Sequence, residues 1–212
     1  MSDADRHSLE AGLRALKLEP EADVVDRLLE FVALLAKWNR VYNLTAVRDP
    51  AQMVALHLLD SLSVHGWLRG ARAIDVGTGA GLPGVPLALC QPERRFTLLD
   101  TNGKKTRFVT HAAGVLKLTN VDVVQARAER FDAPGGFDTV VCRAYAPLPR
   151  IVATAGALCA SDGSIVAMKG ARPDDELTQL KREAPGWQAA DVQRVEVPGL
   201  DAERHLVRLV KT

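Results

Sequence analysis

A short stretch of the chain combines an acid with three alternating glycines, directly after the apolar pair Ala73-Ile74. The stretch is Asp75-Val76-Gly77-Thr78-Gly79-Ala80-Gly81. Glycine adopts positive φ freely and has no Cβ, so this chain can turn sharply and its backbone can approach a ligand closely. Leu82-Pro83 follows and predicts the start of a helix, because proline is favoured in a first helical turn. The pattern is typical of a strand that ends beneath a nucleotide-like ligand.

A second acid, Asp100, ends the next apolar segment, Arg95-Phe96-Thr97-Leu98-Leu99. The carboxylate of Asp100 can accept hydrogen bonds from both hydroxyls of a ribose. Ligands of parallel sheets bind at the carboxyl ends of the strands, so we expect this acid to lie beside the glycine loop.

Two classes of ligand fit a glycine loop followed by such an acid. Gly79-Ala80-Gly81-Leu82-Pro83-Gly84 matches the dinucleotide fingerprint, which holds a pyrophosphate at a helix N-terminus. In a dinucleotide site, however, the first glycine falls at the strand end, and the carboxylate of Asp75 would repel a pyrophosphate. S-adenosylmethionine carries a sulfonium, an ammonium and a ribose but no phosphate. The pattern favours S-adenosylmethionine, with a dinucleotide as the alternative, and predicts donor contacts from Asp75, Gly77, Gly79, Gly81 and Leu82.

The segment after the predicted third strand should also reach this ligand. Glu129 is predicted to accept a hydrogen bond from the adenine amino group, beside the backbone of Ala128. A surface salt bridge is the alternative role for Glu129.

The end of the predicted fourth strand would face a transferred methyl group, and it carries no His, Asp or Glu that could remove a proton. It consists of Val141-Cys142-Arg143-Ala144-Tyr145-Ala146-Pro147. A ring nitrogen with a free lone pair, such as N7 of guanine, needs no deprotonation, so positioning and desolvation would carry the reaction. Arg143 would then donate to the neighbouring O6 of guanine. A structural ion pair is the alternative for Arg143, and Cys142 is predicted to be a core residue.

The pattern of apolar residues predicts helices over residues 5 to 66 and alternating strands and helices from residue 71 onward. Strands are predicted at 71–76, 95–100, 120–124, 137–142, 163–168, about 187–197 and 205–210, with helices between the first five. The last two strands should form an antiparallel hairpin around Pro198-Gly199-Leu200-Asp201. The predicted fold is α/β: a seven-stranded, mostly parallel, Rossmann-like sheet of class I methyltransferases, preceded by N-terminal helices.

Length and composition limit the function classes. The 212 residues suffice for one sizeable core with a helical extension, predicted as residues 1–70, before a methyltransferase domain at 71–212. Three widely separated cysteines predict a reducing cytoplasm and no metal site, and nothing predicts a membrane anchor.

A net charge of +1 excludes a protein that binds bare nucleic acid by charge alone. The cluster Lys104-Lys105-Thr106-Arg107 is therefore either a solvated face or a local binding patch.

From about residue 31 to the C-terminus the sequence resembles a known family, the bacterial small-subunit ribosomal RNA methyltransferase G proteins, also called glucose-inhibited division protein B. The resemblance is most specific in the Gly-Leu-Pro-Gly-Val-Pro extension of the glycine loop. Further matching motifs are Lys37-Trp38-Asn39, Tyr42-Asn43-Leu44-Thr45, His57-Leu58-Leu59-Asp60-Ser61, Gly103-Lys104-Lys105, Arg143-Ala144, Met168-Lys169-Gly170 and Glu203-Arg204-His205.

The resemblance implies methylation of guanine N7 at position 527 of 16S ribosomal RNA, with S-adenosylmethionine as donor and the small ribosomal subunit or an assembly intermediate as partner. Implied donor-binding positions are Gly77, Leu82, Asp100, Thr101, Asn102, Ala128, Glu129 and Arg143. Thr101-Asn102 departs from the commoner Ser-Leu of the family. Lys169 and Arg204, which lie in matching motifs, are predicted to contact RNA, and His57 and Asp60 either reach the donor pocket or pack helices.

Because a folded particle presents RNA by shape, we expect little activity on short naked oligonucleotides. A small-molecule methyltransferase and a non-catalytic dinucleotide sensor are the alternative functions. Calorimetry with S-adenosylmethionine and NAD separates the sensor from the two enzymes.

Overall fold

The computed structural model describes all 212 residues, and the chain begins with a series of helices. Helix α1 (Asp3–Ala15) starts with a capping box, in which Ser2 and Asp5 each accept from the other's backbone N–H. Helix α2 (Ala22–Tyr42) is followed by its C-cap residue Asn43, which adopts the left-handed conformation. Helix α3 (Pro50–Met53) continues as a π-helical stretch (Val54–Leu59) into the short α4 (Asp60–Leu62).

Seven strands form one sheet in the order β3-β2-β1-β4-β5-β7-β6. The strands are β1 (Arg72–Val76), β2 (Arg95–Asp100), β3 (Val121–Gln125), β4 (Phe137–Arg143), β5 (Cys159–Lys169), β6 (Trp187–Arg194) and β7 (His205–Lys211). The first five are parallel, whereas β7 runs antiparallel to both β5 and β6. The predicted mostly parallel sheet with a terminal antiparallel hairpin is therefore confirmed.

The remaining helices connect these strands. They are α5 (Gly84–Cys90), α6 (Gly103–Val115), α7 (Leu148–Ala155) and α8 (Asp174–Glu183). None of the helices combines the length and the apolar character that a membrane span needs.

Three details differ from the prediction. The connection between β3 and β4 has only a 3-10 turn (Ala128–Arg130) instead of a helix, because Pro134-Gly135-Gly136 follows it closely and opposes helix formation. Helix α5 begins at Gly84, after a cis Leu82-Pro83 peptide bond. Strand β5 begins earlier than predicted, at Cys159, and β6 ends earlier, at Arg194.

The two faces of the sheet bury separate apolar clusters, and β1 alternates between them. Ala73 belongs to the larger cluster, and its neighbour Ile74 to the smaller one. The larger cluster joins the N-terminal helices to the sheet, since it contains both Leu28 of α2 and Phe108 of α6. The helices of the first 70 residues thus share a core with one face of the sheet, and this core includes Leu58, the neighbour of His57.

Candidate functional site

The glycine loop after β1 needs glycine for its backbone conformation. Gly77, Gly79 and Gly81 have φ of 73°, 59° and 81°, in the left-handed region that side chains disfavour. A Cβ at Gly77 would also lie 2.6 Å from Cδ2 of Tyr145. The loop therefore exposes bare backbone where β1 ends, as the sequence pattern predicted.

Asp75 lies beneath this loop and does not face a cavity. Its side chain is 0% exposed, and its Oδ2 accepts from Thr78 Oγ1 at 2.7 Å and from Gly84 N at 2.8 Å. Its Oδ1 is buried without a hydrogen-bond partner, and burial raises the pKa of this carboxyl to about 6. In this structure Asp75 holds the loop to the start of α5, and its predicted contact with a cationic ligand stays a prediction.

Asp100, predicted to bind a ribose, also holds backbone. Its Oδ2 accepts from Gly79 N at 2.9 Å, and its Oδ1 accepts from Asn102 N at 2.8 Å. Asn102 in turn caps α6 by accepting from Lys104 N at 2.9 Å. A carboxylate has about four lone-pair positions, so Asp100 keeps acceptor capacity for a ligand.

The predicted adenine-binding residues lie at the same edge of the sheet. Asp100 pairs in register with Gln125, and Ala128 and Glu129 follow in the 3-10 turn. Ala128 is buried, whereas Thr101, Asn102 and Glu129 are exposed. Glu129 is in no ion pair, so its alternative role as a surface salt bridge has no support in the structure.

A cavity of about 490 Å³ opens beside the glycine loop, which is within the range of roughly 300–1,000 Å³ typical of ligand sites. Of the predicted site residues, Gly77, Gly79, Leu82, Arg143, Lys169 and Arg204 line it. The others do not, because they lie beneath the loop or beyond it toward β2 and β3: Asp75, Gly81, Asp100, Thr101, Asn102, Ala128 and Glu129. We call this space the main cavity.

One buried carboxylate holds two arginines in the main cavity. Asp60 Oδ2 lies 2.9 Å from Arg143 Nη1, and Asp60 Oδ1 lies 2.7 Å from Arg204 Nε. Arg143 Nη1 also donates to the carbonyl of Leu56 at 3.2 Å. The structure therefore contains the structural ion pair that was the alternative role of Arg143. Its partner, Asp60, lines the main cavity.

His57 also lines the main cavity and is neutral there. Its Nε2 lies 2.9 Å from Thr45 Oγ1, while its Nδ1 is buried without a partner. Burial, followed by the positive charge of Arg143, lowers the pKa of His57 to about 4. At neutral pH this imidazole is a weak base that accepts or donates hydrogen bonds without carrying a charge.

Lys169 already has two partners. Its Nζ donates to the carbonyl of Ala146 at 2.8 Å and to Glu176 Oε2 at 2.7 Å. These bonds fix the end of β5 to the segment after β4 and to α8. The predicted RNA contact of Lys169 stays a prediction, and the geometry gives this ammonium a structural role.

Several cavity residues had no predicted role. Leu44, Thr45 and Val47 line the main cavity from the segment after α2, whose motif belongs to the resemblance described above. Ala144 follows Arg143 with φ of 50°, a conformation that costs a non-glycine residue energy and that clusters at functional sites. The motif containing Thr45 was a usable signal, but nothing in the sequence predicted the conformation of Ala144.

The sequence matches the family described as rRNA small subunit methyltransferase G over residues 25–207. A ribosomal RNA small subunit methyltransferase G from Methylococcus capsulatus is 52% identical over 204 residues, which are 96% of this chain and 98% of that protein. One from Marinobacter nauticus is 48% identical over 199 residues, which are 94% and 92% of the two chains.

The fold of this chain resembles that of a solved structure. The crystal structure of a SAM dependent methyltransferase from Aquifex aeolicus superposes with a TM-score of 0.57 at 15% identity, over 76% of this chain and 94% of that one. At this identity the likeness concerns the fold alone, and it confirms the predicted class I methyltransferase architecture.

Proposed function

Because the chain belongs to the rRNA small subunit methyltransferase G family, we propose that it transfers a methyl group from S-adenosylmethionine to N7 of one guanine, position 527, of 16S rRNA. The family resemblance predicted from the sequence motifs is confirmed by the match and by the two relatives. The coarser activity, methylation of ribosomal RNA, follows from the family. The atom and the position of the target base form the proposal.

The residues around the glycine loop fit S-adenosylmethionine. The loop backbone is free of Cβ atoms at Gly77 and Gly79, which line the main cavity, and Asp100 beside it keeps unused acceptor positions. When bound, S-adenosylmethionine supplies an electrophilic methyl group on a sulfonium. The protein's part is to hold the loop in shape, through Asp75 and Asp100, and to orient the acceptor.

The observation that carries the choice of N7 is the lack of a competent base in the main cavity. The carboxylate of Asp60 is engaged by two arginines, and burial keeps the pKa of His57 at about 4. The other titratable side chains of the lining are the cations Lys105, Lys169, Arg143 and Arg204. An exocyclic amine would need to lose a proton, whereas N7 of guanine attacks with a free lone pair.

Arg143 supports guanine as the base. Only its Nη1 is used by protein acceptors, so its Nη2 and Nε have donors left. A guanidinium is a good donor to O6 of guanine, the atom next to N7. Asp60 fixes the position of this guanidinium and is therefore a positioning residue in the proposal.

Atom substitution in the target base tests the proposal. We expect particles containing 7-deazaguanine at position 527 to accept no tritiated methyl group, because the nucleophilic nitrogen is replaced by carbon. Inosine, which keeps N7 and O6 but lacks the exocyclic amine, is the matched control and should remain a substrate. Methylation of the 7-deazaguanine particle together with loss of methylation on inosine would instead identify the exocyclic amine as the acceptor.

A further inference from the structure

In two segments of this nearly neutral chain, all the charged side chains are basic. Residues 31–48 contain Lys37, Arg40 and Arg48, residues 101–119 contain four lysines and arginines, and neither segment contains an Asp or Glu. With 27 basic and 26 acidic residues in the chain, this separation concentrates positive charge locally. The cluster Lys104-Lys105-Thr106-Arg107 belongs to the second segment.

The fold brings the two segments together. Trp38 of α2 packs against Phe108 and His111 of α6, with ring centroids 5.6 Å and 5.1 Å apart. Near the other end, Arg27 of α2 donates to the carbonyl of Leu116 after α6, so the two helices run in opposite directions. The end of α2 therefore lies beside the first half of α6, where the basic cluster lies.

The cations of this region have no acidic partners. None of the ion pairs of the structure includes a cation from the end of α2, the following segment or the start of α6: Lys37, Arg40, Arg48, Lys104, Lys105 and Arg107. All except Lys105 are exposed. Their charge is available to an external anion.

A small cavity lies at the end of α2 and the segment that follows it. It has a volume of about 270 Å³ and is lined by Ala36, Asn39, Arg40, Asn43, Arg48 and Pro50. Two guanidiniums and two amides with no carboxylate form a lining that suits a phosphate group. No protein acceptor binds the side chain of Arg40 or Arg48.

An exposed aromatic residue, Tyr42, directly precedes Asn43 of this cavity in the chain. This residue is 43% exposed, and its ring packs against Trp38 in a tilted arrangement, with ring centroids 5.2 Å apart and an angle of 32° between the rings. Its neighbour Val41 is 71% exposed, the largest value among the exposed large apolar side chains. An exposed ring that packs on a second ring offers a surface on which an unpaired base can stack.

The end of α2 leads along the chain into the lining of the main cavity. The chain passes from Tyr42 directly into Leu44, Thr45 and Val47, which line the main cavity, and Lys105 of α6 lines it from the other side. A polymer whose reactive base occupied the main cavity would extend across the end of α2.

We infer that Arg40, Arg48 and Tyr42, flanked by Lys37, Lys104 and Arg107, form a binding surface for single-stranded ribosomal RNA next to the target guanine. The two arginines bind a backbone phosphate in the small cavity, and a flanking base stacks on Tyr42. This inference rests on the proposed function, because it takes its ligand from the same RNA. We call these six residues the α2–α6 surface.

Binding of the full-length protein to unmethylated small ribosomal particles, measured by co-sedimentation with saturating S-adenosylmethionine, tests the surface. We expect the double variant Arg40→Ala/Arg48→Ala to bind about tenfold more weakly or worse. The negative slope of log K against log salt should become shallower by about 0.7 for each phosphate that the variant no longer neutralises. Donor affinity should be unchanged. Lys181→Ala, an exposed cation of α8 on the other face of the sheet, is the matched control and should bind normally.

The aromatic part of the surface has its own pair of variants. Tyr42→Ala should weaken particle binding about 5- to 150-fold, the range expected for removal of one base stack, while Tyr42→Phe keeps the ring and should bind like the wild type. Cross-linking from a photoreactive phenylalanine at position 42 should capture ribosomal RNA. Capture of a ribosomal protein instead, or wild-type binding by the arginine and Tyr42→Ala variants, would overturn the inference.

The same experiment separates this inference from the proposed function. A wild-type protein that binds particles but methylates no guanine N7 would refute the proposed function, while the variant comparison would still decide the α2–α6 surface. A wild-type protein that binds no particle would refute both.

Discussion

At the scale of single residues, the two acids of the sequence pattern serve the backbone of the loop. Asp75 binds Thr78 and the N–H of Gly84, and Asp100 binds the N–H groups of Gly79 and Asn102. Both acids therefore stabilise a turn that glycine makes possible. In the proposed function, these residues contribute to donor binding through the shape of the loop.

Gly77 should not tolerate a side chain. In Gly77→Ala the φ of 73° costs about 1–2 kcal/mol and the new Cβ meets Tyr145, so the loop must shift. We expect the affinity for S-adenosylmethionine, measured by calorimetry, to fall more than tenfold. Gly114→Ala is the control: its Cβ meets nothing within 4 Å on α6, so we expect unchanged donor affinity and a gain of about 0.5–1 kcal/mol in stability. Equal donor affinities for the two variants would show that the loop shape does not matter.

His57 should make stability depend on pH. Its pKa is about 4 in the folded protein and 6.5 when unperturbed, so the unfolded chain binds more protons between these values. The neutral imidazole therefore contributes to the free energy of unfolding above pH 6.5, and this contribution is lost as the pH falls toward 4. We expect the difference in free energy of unfolding between the wild type and His57→Gln to shrink by about 2–3 kcal/mol from pH 7 to pH 4 in urea titrations.

The comparison with His57→Gln is needed because Asp75 changes the stability with pH in the opposite direction. Its raised pKa, about 6, gives stability that is present below pH 3.8 and lost as the pH rises through 6. Both proteins keep Asp75, so its contribution cancels in the difference. A difference that stays constant across this pH range would contradict the burial of a neutral His57.

The residues at the ends of β1 and β2 could be predicted from the sequence, because a glycine run and an acid after an apolar strand have local causes. The partners of Arg143 could not. Asp60 lies 83 residues from Arg143 and 144 residues from Arg204 along the chain, and no local sequence pattern predicts such a distant contact. Spacing alone gave only two alternatives for Arg143, and the structure shows the ion pair.

At the scale of elements, Asp60 joins three parts of the fold. It lies at the start of α4, after the π-helical stretch, and holds Arg143 at the end of β4 and Arg204 just before β7. The π-helical stretch and the 3-10 turn after β3 were missed, because apolar spacing predicts that a helix exists but not its exact winding. The strands were predicted well, since their apolar runs are bounded by clear turn signals.

Loss of the Asp60 carboxylate should loosen these three elements. We expect Asp60→Asn to cost about 2–3 kcal/mol of unfolding free energy, less than a fully buried pair, because both guanidiniums are partly exposed. The turnover number for methyl transfer should fall more than donor affinity, since Arg143 loses its orientation. Asp122→Asn, at an exposed position of β3, is the control and should match the wild type. Unchanged stability and turnover in Asp60→Asn would refute the positioning role.

At the scale of the whole molecule, one apolar cluster unites the N-terminal helices with the sheet. Leu28 and Leu58 of the first 70 residues and Val85 and Phe108 of the sheet region belong to the same cluster. The division into residues 1–70 and 71–212, predicted from the change of pattern, stays a prediction about sequence regions. Their shared core argues that they fold together.

Cooperative unfolding follows from this shared core. We expect the fluorescence of Trp38, beside the larger cluster, and of Trp187, beside the smaller one, to report the same urea midpoint in single-tryptophan variants. A fragment of residues 71–212 should show no cooperative transition, because it exposes the apolar surfaces of α5 and α6 against which α2 packs. Two separated midpoints, or a stably folded fragment, would establish two independent domains.

The most direct test of the account is to map the modified base in cells. We expect 16S rRNA from cells with the protein to carry N7-methylguanine at position 527, located by chemical cleavage at that base and by mass spectrometry. Cells without the protein should lack it, and the wild-type chain should restore it. A methyl group that persists without the protein, or that appears on another atom or base when the protein is present, would contradict the account.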